Sequence, residues 1–90
     1  MGEYKPLNLK SFNCDPNPSE GQFTISFSAS SKPLSIRIFD KTGKKVFYEK
    51  AEDHGGNYSR EIDLGGKSKG LYVLQISQGG KAVNKKLQIN

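Results

Sequence analysis

The chain has 90 residues, a length that fits one small domain with a modest core. Its net charge of +5 favours acidic partners, but the basic residues are scattered, with no block of five or six that would indicate a nucleic-acid site. The longest purely apolar run is Leu71 to Leu74, which excludes a predicted membrane span, and the single cysteine excludes an internal disulfide.

The first 14 residues hold few apolar groups. They are predicted to be either a linker remnant or an edge strand that docks onto the domain, with Leu7 to Phe12 as the segment able to pair. The domain proper is predicted to span residues 15–90.

A stretch rich in turn-forming residues, CDPNPSEG, follows from Cys14 to Gly21. Proline fixes the backbone angle φ, the residue before a proline prefers an extended backbone, and glycine permits a tight reversal. We therefore predict a stiff turn that directs the chain into the first strong strand, with the cysteine inside the turn.

Beyond this turn, apolar and polar residues alternate with a period of two, and no window shows sustained helical spacing. Such alternation is typical of strands with one buried and one wetter face. It predicts an all-β fold, a small antiparallel Ig-like β-sandwich of about seven strands, with a small closed barrel as the less favoured alternative. The predicted core residues are Phe23, Ile25, Phe27, Ile36, Ile38, Ile62, Tyr72, Leu74 and Ile76.

Glycines mark the predicted connections. Gly43 in DKTGKK lies where a turn between two strands would need a positive φ. Gly79 and Gly80 form a two-residue hairpin signal in SQGGKA.

The opening turn partly matches a metal loop, because Asp15, Asn17 and Ser19 are spaced like the first oxygen ligands of a calcium loop. Such a loop needs glycine at its sixth position and a bidentate acid at its twelfth. Glu20 and Ser26 stand there instead. The sequence therefore favours a structural turn, and neither a metal nor any other cofactor is predicted.

Catalytic residues are not evident. His54 is the one histidine, and no local signature joins it to Cys14 as base and nucleophile. Glu49, Glu52 and Asp53 could form a weak cation site, but such a cluster is more often an exposed loop. We predict that the protein is not an enzyme.

The strand aromatics leave a second binding mode open. An aromatic face on a β-sandwich can stack sugars or single-stranded nucleic acid. The alternation assigns Phe23, Phe27 and Tyr72 to the core, whereas Phe39 and Phe47 fall on faces that the pattern does not decide.

Four motifs occur in a fixed order: DPNPSEGQFTISF, LSIRIFDKTGKKVF, IDLGGKSKGLYVLQIS and GGKAVNKKLQIN. This succession resembles the type A C-terminal sorting domain of the type IX (Por) secretion system of Bacteroidetes, over residues 15–90. The matching positions are Pro16, Asn17, Pro18, Gly21, Asp40, Gly43, Lys44, Gly70, Tyr72, Gly80, Lys85 and Lys86. One departure is Asp15, where the family often has an aromatic residue.

The resemblance implies a non-catalytic signal domain that directs an upstream cargo protein across the outer membrane, by way of the periplasm, to the cell surface or the medium. The implied partners are the outer-membrane secretion machinery and a sortase-like peptidase that usually removes the domain afterwards. Nucleic acid is not expected as a partner, and a signal peptide is expected upstream of these residues. The implied recognition residues are Pro16, Asn17, Pro18, Gly21, Gly43, Gly70, Tyr72, Lys85 and Lys86.

Two rival functions stay open from the sequence. One is a carbohydrate-binding or adhesive β-sandwich that is retained on a secreted protein. The other is a basic nucleic-acid binder, which would show steep salt dependence.

Overall fold

A computed structural model of the chain describes residues 5–17, 20–30, 32–52 and 55–90. These residues form eight strands and no helix. The strands are β1 (Lys5–Pro6), β2 (Lys10–Asp15), β3 (Gln22–Ser28), β4 (Leu34–Phe39), β5 (Lys45–Ala51), β6 (Asn57–Asp63), β7 (Gly70–Gln78) and β8 (Lys81–Ile89). The predicted all-β class is confirmed, and no described helix is long and apolar enough to cross a membrane.

The strands form two sheets. One has five strands in the order β1-β8-β7-β4-β5, and the other has three in the order β2-β3-β6. All described pairings are antiparallel except the short parallel one between β1 and β8. The inward side chains of both sheets share one apolar cluster, so the fold is a small Ig-like β-sandwich, as predicted.

The core follows the period-two pattern. All nine predicted core residues are buried, and Ile25, Ile36, Ile38, Leu74 and Ile76 have no exposed surface. Six further apolar residues join them: Leu7, Leu34, Tyr58, Leu64, Leu87 and Ile89. Burying a side chain of this size stabilises the fold by about 1.5–3 kcal/mol, so these positions supply most of the driving force.

The predicted glycine turns are present. Gly43 has a φ of 89° in the β4–β5 turn, and Gly79 has a φ of 63° in the tight hairpin between β7 and β8. The N-terminal segment Leu7–Phe12, offered as a possible further strand, instead begins with the link between β1 and β2 and enters β2 only at Lys10. Leu7 between these strands is buried, and its backbone N–H donates to the carbonyl of Ala82 at 3.0 Å.

Candidate functional site

Strand register brings most of the motif residues to one end of the sandwich. Gly70 lies opposite Ile89, and Phe39 lies opposite Val73, so β8 ends, β7 begins and the β4–β5 turn reverses at the same end. The loop of residues 64–69 links this end to the end of β6, which pairs with the start of β3. We call this end, formed by residues 16–17, 20–21, 40–44, 64–70 and 86–90, the motif end; residues 18–19 lie outside the described part of the chain.

The opening turn is hydrogen-bonded to the last strand through Asn17. Its side-chain Nδ2 donates to the backbone carbonyl of Lys86 at 3.2 Å, and the backbone N–H of Gln88 donates to its Oδ1 at 3.1 Å. A side-chain amide offers the same donor and acceptor as a peptide group. Asn17 therefore pairs with β8 as a neighbouring strand would, and we call this pair of bonds the Asn17 clamp.

Gly21 closes the same turn against the loop after β6. Its carbonyl accepts a hydrogen bond from the N–H of Leu64 at 2.6 Å. Its φ is 121°, and a Cβ at this position would lie 3.0 Å from backbone atoms of Gly65. Both the backbone conformation and the close approach require glycine here.

The second motif forms a capped turn. The Asp40 Oδ1 accepts hydrogen bonds from the Thr42 hydroxyl at 2.6 Å, the Thr42 N–H at 2.9 Å and the Lys44 N–H at 3.0 Å. The hydroxyl bond, and then the backbone bonds, hold the pKa of Asp40 below its ordinary value. The carboxylate thus accepts from two backbone N–H groups of the turn, those of Thr42 and Lys44, and Gly43 lies between them.

The third motif fixes the start of β7. Tyr72 is buried, and its hydroxyl donates to the carbonyl of Ser68 at 2.5 Å. Gly70 has a φ of 135°, outside the range that side chains favour. A shallow depression joins this loop to the Asp40 turn, and its lining residues are Asp40, Lys41, Thr42, Ser68, Lys69, Leu71 and Tyr72.

The two lysines of the last motif lie on opposite faces of β8. Lys85 stands opposite Leu74 on the inward face, and its ammonium nitrogen lies 5.0 Å from the centre of the Phe12 ring. Lys86 stands opposite Val73 on the outward face and is exposed. The KK pair is therefore one cation over an aromatic ring and one cation in solvent, rather than a single patch.

Some sequence predictions fall elsewhere. Gly80 lies in the β7–β8 hairpin, at the opposite end from the other motif residues. Pro18, Ser19, Asp53 and His54 lie outside the described residues.

The predicted place of Cys14 is wrong. It lies in β2, opposite Ile25, and not inside the turn, because the strand continues one residue past it. Its side chain is half-buried, and this burial, with the nearby charge of Asp15, raises the pKa of the thiol. A thiol kept protonated is a poor nucleophile.

Two of the three acidic residues of the candidate cation site, Glu49 and Glu52, have protein partners, and the third, Asp53, lies outside the described residues. The Glu49 carboxylate contacts the Arg60 guanidinium at 3.0 Å and accepts from the Tyr58 hydroxyl at 3.4 Å, and Glu52 pairs with Lys50 at 3.7 Å. In the part of the chain that the structure describes, no three His, Cys, Asp or Glu residues are grouped to hold a metal ion.

Comparison with family models gives a match over residues 15–90 to the family described as the secretion system C-terminal sorting domain. The chain belongs to this family. The match spans all four motifs and confirms the predicted resemblance to the sorting domains of type IX secretion. No curated protein matches the chain.

Membership gives the sorting domain a general role. The family is a C-terminal sorting signal for type IX secretion, it interacts with that machinery, and it is in general non-catalytic. It implies export toward the cell surface or the extracellular space. The motif end is the part of the fold where this chain concentrates the motif residues.

Proposed function

We propose that this sorting domain is a folded, non-catalytic export tag. In this proposal the cargo passes through the periplasm and crosses the outer membrane by the type IX system, and a sortase-like peptidase then removes the tag. The observation that carries the proposal is the family match over residues 15–90.

We infer that the motif end is the recognition surface. The recognition residues proposed from the motifs are Pro16, Asn17, Pro18, Gly21, Gly43, Gly70, Tyr72, Lys85 and Lys86, of which Tyr72 and Lys85 adjoin the motif end in β7 and β8, and Pro18 lies outside the described residues. Support comes from the strand register, which brings residues from four separate motifs to the same end of the sandwich. In this reading the glycines and Tyr72 hold the backbone of the turns, whereas Asn17 and the lysines hold or flank the last strand. The N-terminal residues 5–14 act as docking edge strands, and the domain boundary at residue 15 stays a prediction.

A secretion assay tests the export role. A reporter that ends in this chain is expressed in a Bacteroidetes host with an active type IX system, beside a version that lacks Lys85 to Asn90. We expect the intact fusion in the medium or on the surface and the truncated fusion in the periplasm. Equal secretion of both forms would mean that residues 85–90 of the last strand are not needed for export.

A point variant separates recognition from folding. Lys86→Glu changes an exposed charge at the motif end, and Lys81→Glu makes the same change at the opposite end of β8. We expect weaker export for Lys86→Glu only, with equal thermal unfolding of both chains, because exposed charges usually change stability by no more than about 0.5 kcal/mol.

The mass of the exported reporter tests removal of the tag. Loss of the whole domain in the secreted form, and its retention when the host lacks sortase-like activity, is the expected result. A secreted reporter that keeps the domain would favour the rival function, a carbohydrate-binding or adhesive module.

A further inference from the structure

The outward surface of the five-stranded sheet differs from the rest of the molecule. Residues directly opposite one another in a sheet share a face, and the register places Arg37 beside Tyr48 on β5 and Gln75 on β7. The next row places Phe39 beside Val73. We call the surface made by these outward side chains of β4, β5, β7 and β8 the outer face.

Exposed apolar groups are concentrated on the outer face. Among the described residues, the exposed large hydrophobic side chains are Tyr48 at 48%, Leu71 at 52% and Val73 at 36%, and all three project from it. Single exposed apolar residues are ordinary, but a group of them on one surface indicates an interaction site.

The charges on the outer face have one sign. Arg37, Lys45, Lys50 and Lys86 belong to it, and no outward position of its four described strands holds an aspartate or glutamate. Glu49 of β5 points to the inward side, where it meets Arg60. The surface therefore combines apolar groups with basic groups and repels a basic partner.

Tyr48 is held between two of these cations. The Arg37 guanidinium lies 5.2 Å and the Lys45 ammonium 5.0 Å from the centre of its ring. Arg37 also donates to the Ser77 hydroxyl at 3.1 Å, which fixes the guanidinium over the sheet. Tyrosine and arginine that are already ordered before binding lose little entropy in an interface, which is why they recur as its strongest contacts.

The outward surface of the three-stranded sheet provides the contrast. Its central strand presents Thr24 and Ser26, and β6 presents Ser59, Glu61 and Asp63 beside them. The described part of this surface holds no exposed large hydrophobic residue. The apolar and basic character thus belongs to one sheet and is not a general property of the surface.

We propose that the outer face docks a partner protein that presents an apolar patch bordered by aspartate and glutamate. The inference rests on the proposed export role, because the partner is one that the tag meets during secretion. Charge complementarity favours the acidic border. Among the described residues Lys50 is paired with Glu52 at 3.7 Å, but no ion pair joins Arg37, Lys45 or Lys86 to an acid, and a partner without acids would desolvate these three cations on contact. Leu71 and Val73 require the apolar patch.

A protein fits this surface better than a nucleic acid or a glycan. Binding of single strands or sugars depends on successive exposed rings. The outer face has one exposed ring, that of Tyr48, while the ring of Phe39 is partly buried and the aliphatic side chains of Leu71 and Val73 supply the other exposed apolar groups. An apolar centre with a charged border is the usual arrangement of a protein interface.

Photo-crosslinking in secreting cells tests this docking. The reporter fusion carries a photoreactive benzoylphenylalanine in place of Tyr48, or in place of Thr24 on the other sheet as the matched control. We expect a protein adduct from position 48 only, joined to a peptide that contains aspartate or glutamate. An adduct to nucleic acid, glycan, lipid or a second copy of this chain, or equal adducts from both positions, would overturn the proposal.

Charge reversal supplies the second measurement. Lys45→Glu with Lys50→Glu places acids on the outer face, and Lys10→Glu with Lys81→Glu makes the same change of net charge elsewhere. We expect the first pair alone to abolish the position-48 adduct and to lower the secreted fraction by about tenfold, with both double variants still folded at the growth temperature as judged by thermal unfolding.

The outcomes separate this inference from the proposed function. In one outcome the unaltered fusion is secreted, and the Lys45→Glu, Lys50→Glu fusion is secreted equally well and gives the same adduct. That outcome overturns the docking surface and leaves the export role in place. Failure of the unaltered fusion to leave the periplasm overturns both.

Discussion

The backbone N–H of Gln88 donates to the side-chain oxygen of Asn17 at 3.1 Å, although the two residues are 71 positions apart. With the bond from Asn17 to the carbonyl of Lys86, this clamp joins the opening motif to the last strand. Strand β1 pairs with β8 at Lys81 and Ala82 only, within the described residues. The clamp occupies backbone groups farther along the same edge, where no described strand reaches.

The first prediction concerns this clamp. Asn17→Ala removes both bonds and leaves the N–H of Gln88 open to solvent. We expect faster hydrogen exchange at Gln88 and a loss of unfolding free energy of about 1 kcal/mol, the usual net value of an exposed pair of this kind. Exchange is measured by NMR on the 90-residue chain.

Two variants control that measurement. Asn17→Asp keeps the acceptor for the N–H of Gln88 and loses the donor to the carbonyl of Lys86. Its hydrogen exchange at Gln88 should therefore increase less than that of Asn17→Ala. Asn13→Ala changes an exposed asparagine of β2 and should leave Gln88 unchanged. Equal exchange at Gln88 in the unaltered chain and in Asn17→Ala would contradict the role of the clamp.

The second prediction concerns the two faces of β7. Leu74→Ala empties a fully buried position and should lower the unfolding free energy by about 2–5 kcal/mol. Leu71→Ala, three residues away and half exposed, should change it by no more than about 0.5 kcal/mol. Chemical denaturation of both variants gives the comparison, and similar losses would mean that the faces are misassigned.

The sequence predicted the strands and the core because both are recorded locally. Alternation of apolar and polar residues fixes which side chains of a strand face inward, as in Phe23, Ile25 and Phe27, whatever the strand pairs with. Gly43 and the Gly79–Gly80 hairpin were predicted for the same reason, since a tight turn needs glycine at a particular position.

Contacts between distant segments could not be predicted in this way. The Asn17 clamp depends on which residues of β8 lie beside the opening turn, and the sequence records neither the sheet order nor that register. Tyr58 was missed because Arg60, an exposed cation, interrupts the apolar parity that joins it to Ile62. The family motifs gave the candidate residues, but their convergence at the motif end required the strand register.

The third prediction separates Lys85 from Lys86. Lys85 stands over the ring of Phe12 on the inward face, so Lys85→Glu replaces an attraction with a repulsion and should cost about 0.5–1 kcal/mol or more. Lys86→Glu, on the outward face, should be close to neutral for stability. Thermal unfolding of the two single variants measures the difference.

A charge-preserving variant completes that test. Lys85→Arg keeps the cation over Phe12 and should retain the stability of the unaltered chain, whereas Lys85→Met, which keeps length but not charge, should not. Equal melting temperatures for Lys85→Glu and Lys86→Glu would show that the contact with Phe12 contributes nothing.

The fourth prediction is a loss of stability at high pH that depends on Tyr58. Burial, and then the negative charge of Glu49, raises the pKa of Tyr58 to about 12. In the unfolded chain a tyrosine titrates near pH 10, so between about pH 10 and pH 12 the unfolded state binds fewer protons than the folded one. The contribution of Tyr58 is therefore complete below about pH 10 and declines as the pH rises toward 12.

Denaturant unfolding at several pH values between 8 and 12 measures this decline. Tyr58→Phe has no hydroxyl to ionise, so its unfolding free energy should fall less steeply over this range than that of the unaltered chain. Glu49→Gln removes the nearby charge but not the burial, which is the larger cause of the raised pKa of Tyr58. In this variant the pH range over which stability declines should be narrower, but still present. Parallel curves for the unaltered chain and Tyr58→Phe would mean that the folded state ionises this hydroxyl as readily as the unfolded chain does.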